Sequence, residues 1–329
     1  MALETSFVLL LAVILSSGLV AAYLGLARRY LPPDEPGERS SHERATPTGA
    51  GIVCVLTLVL LLPSGNYPFA WMQLLLPAAA LLALLGLIDD LRPLSAALRL
   101  LLQALLALTV LVFLPFSVPS WSLVLMFLWL LWSVNSFNFM DGSNGMAALQ
   151  GISSSLLLAF CFGRADLAEW MLAALSVVAV CAGFLPWNFP RARVFLGDAG
   201  SLPLGWLLAG LTMVAVLLGA LSLPLALLVM ALFHVDAGMT LLTRMLRGDE
   251  WYTAHREHIY QRMLSVRGGH SRVALIYQAV NIAIIYPLVI FAGDLGAWQW
   301  IASASTLAVL AGTWSVLSQK WPPRLMEER

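Results

Sequence analysis

Charge is what this chain has least of. Only 11% of its 329 residues are Asp, Glu, Lys or Arg, and 60% are hydrophobic. Soluble domains carry about 25% charged residues, so a chain this depleted cannot cover a water-facing surface and must sit in lipid. Cysteine is also scarce: Cys54, Cys161 and Cys181 all fall in apolar runs. An odd number of thiols in lipid-phase helices argues against a disulfide framework and a Cys-rich zinc site, leaving small core residues. Acids and bases cancel to a net charge of +0, which gives no electrostatic reason to expect a nucleic acid or an acidic partner. No basic segment precedes the first apolar run, where Glu4 stands instead. That run is long enough to span a bilayer, so a retained transmembrane helix is expected rather than a signal peptide. No internal repeat or low-complexity segment stands out.

What is present is apolar sequence in eleven stretches: 6–27, 49–63, 70–88, 96–114, 120–134, 147–162, 168–186, 201–218, 221–243, 271–292 and 297–317. The expected fold is all-α, one polytopic integral membrane domain over 1–329 with about eleven transmembrane helices. Basic residues set its orientation. With the N-terminus outside, 17 of the 18 Lys and Arg residues fall in one set of loops and only Arg164 in the other. That puts the C-terminus in the cytoplasm, with cytoplasmic loops at 28–48, 89–95, 135–146, 187–200 and 244–270. Asp89, Asp90, Asp141 and Asp198 each sit at or just past an expected cytoplasmic helix end. An Asp at the bilayer centre costs roughly 2.5–3.5 kcal/mol, so the interface is where such acids belong. Asp236, beside His234, is the one acid inside a span, either as a polar helix–helix contact or as cavity lining.

Five polar stations fall on that one face. Adjacent carboxylates at Asp89-Asp90 repel and call for a cation or a basic substrate; a hard divalent ion with oxygen ligands suits them. The plainer reading is a helix end with Arg92 as counter-charge. Asn135, Asn138 and Asp141 recur every three residues and share a stripe if the helix continues; otherwise they form a polar turn. Gly197-Asp198-Ala199-Gly200-Ser201 opens a span and can offer backbone N–H groups to a phosphate while Asp198 holds a metal, or it is an ordinary N-cap. His255, Arg256 and His258 put two imidazoles and a bidentate fork on a basic loop, which suits an anion or nucleotide. Zinc lacks a third ligand nearby. The loop through His42 that ends in Pro47-Thr48-Gly49-Ala50-Gly51 is the fifth, or a solvated connection. Each has a bland explanation alone; jointly, chance placement is much less credible.

These stations, in this order, resemble the polyprenyl-phosphate sugar-1-phosphate transferases. That family includes the phospho-N-acetylmuramoyl-pentapeptide transferases and the enzymes that start O-antigen and teichoic-acid chains. The motifs carrying the resemblance are Asp89-Asp90, Asn-x-x-Asn-x-x-Asp-Gly at 135–142 and Gly-Asp-x-Gly-Ser at 197–201. The stretch Arg256-x-His258-x-Tyr260-Gln261 looks like the O-antigen branch. Two departures stand out: Asn144 replaces the family's second loop acid, and the loop before the second span lacks the family's Arg and one Gly.

The resemblance implies transfer of N-acetylhexosamine-1-phosphate (GlcNAc, or a 6-deoxy sugar such as FucNAc or QuiNAc) from a UDP-sugar to undecaprenyl phosphate. UMP would be released at the cytoplasmic face of a bacterial inner membrane, in cell-envelope polysaccharide synthesis. It implies Mg²⁺, with Mn²⁺ as a substitute, held by Asp198 with Asp90 nearby. Asp89 would deprotonate or orient the lipid phosphate. Asn135, Asn138, Asp141, Asn144, His42, His255, Arg256 and His258 would bind substrate, and a homodimer is compatible with all of this. The competing class is a multi-span transporter or lipid-carrier flippase, which places ionisable residues near the midplane between repeats; here the acids gather at one face. A non-catalytic assembly subunit is a third class, which the intact acidic stations disfavour.

Overall fold

The structure, a computed structural model, describes residues 2–30, 45–61, 67–68, 70–250, 253, 255–267 and 269–321, excluding the side chains of residues 2–4 and 267. Among the described residues there is no β-strand. Helices α1 (Ala2–Tyr30), α2 (Gly51–Leu61), α3 (Leu76–Leu91), α4 (Ala96–Val112), α5 (Ser120–Phe139), α6 (Met146–Arg164) and α7 (Ala168–Asn188) come first. They are followed by α8 (Asp198–Leu217), the short α9 (Leu223–Ala226), α10 (Ala231–Arg247), α11 (Ile259–Arg267), α12 (His270–Val280), α13 (Tyr286–Phe291) and α14 (Trp298–Lys320). The protein is an all-α polytopic membrane protein.

Eight helical segments among the described residues are long and apolar enough to cross a membrane. The expected stretches 49–63 and 96–114 appear as the shorter apolar helices α2 and α4. The stretch 221–243 is broken, with Pro224 in the first turn of α9 and a gap before α10. Proline does not break the other spans. Pro77 and Pro287 each follow a five-residue π turn, Trp71–Leu75 and Asn281–Ile285, inside the continuous spans Trp71–Leu91 and His270–Asp294. A widened turn absorbs the missing N–H and the ring clash without ending the helix.

At the centre stands α8, apolar around its whole circumference and buried on every side from Ala199 to Ala215. Such a helix can only be a core element, and α2, α3, α5 and α6 pack around it. Helix α3 reaches it most closely through Gly86, where a Cβ would collide with the backbone of Asp198. Small residues allow this approach between membrane helices. The periphery is the reverse: Leu98, Leu101, Leu105 and Leu108 on α4 are all exposed. In water that stripe would be a large apolar patch; in a bilayer it faces lipid tails.

Two expected loops turn out to be largely helical. Helix α5 runs on through Phe139, so the 135–146 connection shrinks to residues 140–145. The 244–270 loop contains α11, whose start is capped by an acid from another helix. Apolar run length misses both, because polar residues continue these helices where tertiary partners accept them.

Candidate active site

The site is built at the N-terminus of α8. The turn into that helix needs Gly197, which adopts φ +72° and whose missing side chain leaves room for Asp90 and Thr48. Asp90, at the end of α3, takes the N–H of Asp198 at 3.0 Å and of Ala199 at 3.1 Å. A carboxylate there satisfies the helix's orphan donors and its dipole. The chain before α2 closes the other side: Gly51 N–H donates to Leu196 O at 2.9 Å, Phe195 N–H to Pro47 O at 2.8 Å, and the Tyr23 hydroxyl to Thr48 O at 2.6 Å. The segment Pro47 to Gly51 is therefore fastened against the turn that carries Asp198.

Asp89 points to a different partner. One oxygen accepts the Leu94 N–H at 2.6 Å, the other the Arg99 guanidinium at 2.6 Å. The same Arg99 nitrogen donates to Asp198 at 3.2 Å. Asn138 donates to the other Asp198 oxygen at 2.7 Å and to Ser201 at 2.9 Å. Asp141, just beyond α5, completes the acid group. Burial, then the negative charges of Asp198 and Asp90, hold its carboxyl well above the usual range. One arginine thus bridges two of the four carboxylates, Asp89 and Asp198. Arg99 is the functional residue that sequence reasoning misses. In the sequence it is only a marker of topology, ten residues from Asp89 and within an apolar run; the signal available is its place on the same helix-end face as the acids.

The expectation that Asn135 lines the site needs a correction. Its amide donates to Gln103 at 2.7 Å and to Leu131 O at 2.8 Å. Helix α5 packs against both α4 and α8, so Asn138 meets the acids while Asn135, a turn earlier, holds α4. Asn144 donates to Pro190 O at 3.3 Å and shapes the neighbouring loop. Asp90, expected near a metal, has both oxygens on backbone amides, so its first task is to fix the start of α8. His42 lies outside the described residues.

A second wing sits beside the first. Asp236 is 3% exposed and is the hub of a helix junction rather than a cavity wall. It accepts Ile259 N–H at 2.8 Å, Tyr260 N–H at 3.2 Å, the Tyr277 hydroxyl at 2.7 Å and the Trp314 indole at 3.0 Å. The capped α11 then hands Tyr260 to α5, its hydroxyl donating to Phe139 O at 3.0 Å. His258 stacks between Phe139 (6.1 Å) and Tyr260 (5.9 Å), with His255 4.9 Å away. Burial pushes the His255 imidazole down to about 4, helped by the neighbouring His258, and lowers His258 as well. Both shifts favour the uncharged ring. Glu257 anchors the loop: burial raises its carboxyl, but hydrogen bonds from Arg247 and Arg244 outweigh this and hold it low.

Among the described residues no three carboxylates, imidazoles or thiols converge to enclose a metal ion. Magnesium does not need such a cage; it is commonly held by one or two carboxylates together with waters and substrate phosphates. Asp198, whose side chain is 24% exposed, lies beside Asp90 and Asp141 and offers a hard-oxygen donor set that fits it.

Sequence comparison agrees with this geometry. The profile of glycosyl transferase family 4 matches residues 71–216, from α3 through α8. A decaprenyl-phosphate N-acetylglucosaminephosphotransferase of Mycolicibacterium smegmatis is 32% identical over 306 residues, 78% of this chain and 75% of the relative. The chain belongs to glycosyl transferase family 4. The enzyme of the same name from Mycobacterium leprae is 30% identical over 307 residues, 79% of this chain and 76% of the relative. An undecaprenyl-phosphate alpha-N-acetylglucosaminyl 1-phosphate transferase of Salmonella typhi is 27% identical over 278 residues, covering 77% of this chain and 74% of the relative. The family 4 profile contains the whole acid group and Arg99, and stops short of the His255–Tyr260 wing.

Proposed function

We propose that this family 4 protein transfers N-acetylhexosamine-1-phosphate from a UDP-sugar to undecaprenyl phosphate, releasing UMP. The reaction runs with Mg²⁺ (or Mn²⁺) at the cytoplasmic face of a bacterial inner membrane, and its product starts an envelope polysaccharide such as O-antigen. The names of the relatives make GlcNAc the first donor to assay. One observation carries the reading. Asp90 and Asp198, 108 residues apart in the chain, meet at the start of α8, and a single arginine bridges Asp198 to Asp89.

The chemistry follows from charge. Both substrates are phosphate anions, so their approach must be offset by positive charge in a site that excludes bulk water. Asp198, with Asp90 and Asp141 beside it, would hold a divalent ion, which when bound would supply Lewis-acid charge to the donor diphosphate. Arg99 lies on the α4 side, next to the exposed leucine stripe along which a lipid carrier can lie, and receives the acceptor phosphate. Asp89 orients that guanidinium rather than taking a proton, since the acceptor already arrives as an oxyanion. Its oxygen attacks the sugar-bearing phosphorus, the P–O bond to the uridylyl phosphate breaks, and UMP leaves with that oxygen. Asn138 holds Asp198 in place. Arg256 and the neutral His255 and His258 contact the donor from the second wing, by hydrogen bonds to phosphate or sugar.

The test is UMP release from purified protein in mixed micelles. It is expected only when UDP-sugar, polyprenyl phosphate and divalent ion are all present. UMP release without lipid phosphate, or solute counterflow in proteoliposomes with no UMP formed, would sink the proposal.

A further inference from the structure

Helices α6 and α8 both start at the acid group, and both end at a second cavity. Helix α6 has 19 residues, so its far end lies roughly 27 Å away at 1.5 Å per residue. That cavity holds about 550 Å³, within the range of a small-molecule site. Most of its lining is apolar, Phe160, Leu223 and Ile290 included, and its polar side chains are Arg164 from α6, Ser222 before α9, and Asp294 at the end of its span.

Two observations point to a ligand here. Arg164 and Asp294, both exposed, line the same space, yet among the described residues neither forms an ion pair. The Ser222 oxygen is shielded from solvent and has no hydrogen-bond partner. Serine at that N-cap position ordinarily caps its helix, but here its side chain makes no cap bond. A buried hydroxyl without a partner costs about 1–3 kcal/mol in general.

We infer that this cavity binds the headgroup of a zwitterionic aminophospholipid of the phosphatidylethanolamine type, with its phosphate on Arg164 and its ammonium on Asp294. Charge complementarity selects this occupant. Arg164 brings one positive charge and Asp294 one negative charge to the lining, so a purely anionic headgroup leaves Asp294 unanswered. A zwitterion answers both unpaired charges, and its acyl chains follow the Phe160 and Leu223 wall into the bilayer. The site is distinct from the acid group and independent of the transfer reaction.

Native mass spectrometry of the full-length protein in detergent tests this, with phosphatidylethanolamine and phosphatidylglycerol added in equal amounts. Retained ethanolamine lipid is expected to exceed the glycerol lipid by on the order of tenfold, the value of one charge-assisted contact. Asp294→Asn should bring the ratio near one, and Arg164→Gln should lower retention of both lipids alike, each with melting temperature and UMP release unchanged. The exchange Arg164→Asp with Asp294→Arg should restore the preference, which separates recognition from a folding defect. Equal retention by the unaltered protein, or a preference that survives Asp294→Asn, overturns the inference.

Discussion

The two wings of the candidate site are made in different ways. The acid wing stands on helix ends that touch backbone to backbone, with Gly86 against Asp198 and Asp90 on the amides of α8. The histidine wing is a loop and a nine-residue helix held by side chains, with Asp236 capping the helix and Glu257 fastened to Arg244 and Arg247. The first is rigid because helix positions within a packed core leave little freedom. The second depends on side-chain contacts and a few stacked rings, and it lies outside the family 4 profile. On the proposed function the difference is a division of labour, with phosphate chemistry on the packed helix ends and donor contacts on the segment beyond the profile.

The sharpest way to break this contrast is at Asp198. Asp198→Asn should lower UMP release on the order of a thousandfold with the melting temperature kept, and near-normal turnover would remove it from the chemistry. Next is Arg99→Gln, expected to cost about a hundredfold in turnover. Its defect should deepen as lipid phosphate becomes limiting; an unchanged KM for the lipid would place Arg99 in a purely structural role. On the other wing, His258→Asn should raise the donor KM about tenfold with kcat within a few-fold, since it removes a contact rather than a charge.

Asp236→Ala separates support from chemistry. It uncaps α11 and leaves Tyr277 and Trp314 without their acceptor, at a cost of about 3–5 kcal/mol for breaking a buried network. Faster proteolysis within residues 253–267 should accompany it, and a melting temperature equal to that of the unaltered protein would refute the hub.

The smallest effect concerns pH. Because folding raises the Asp141 carboxyl well above its ordinary value, the folded state binds that proton more tightly than the unfolded chain. Its contribution is favourable at low pH and is lost as pH rises through the folded value. Asp141→Asn mimics the protonated form, so it should raise the melting temperature at pH 8 more than at pH 5 while UMP release falls. For His255 the sign is opposite: with its pKa pushed down to about 4, stability is lost as pH falls from about 6.5 toward 4.

Much of this is legible in the chain itself. Low charge and long apolar runs demand a helical membrane protein, because only hydrogen-bonded helices or closed barrels survive in lipid. The positions of Asp89, Asp90, Asp141 and Asp198 at helix ends point to one polar face. The helical continuation to Phe139 is less visible, because Asn135 and Asn138 read as a loop until Gln103 and Asp198 are there to receive them. Arg99 is hidden for the same reason: in sequence it is one basic residue among leucines, and its two acidic partners come from 10 and 99 positions away. Asp236 can be read as wall or as junction until four donors from three other segments converge on it.

Composition and run length alone thus determined the solvent, the element type and the gathering of acids at one face, since transfer out of water acts on each segment separately. Which acid caps a helix and which arginine answers the others was decided only by packing. Those roles belong to pairs of atoms brought within hydrogen-bond distance by helices far apart in the chain, and no local stretch contains that information.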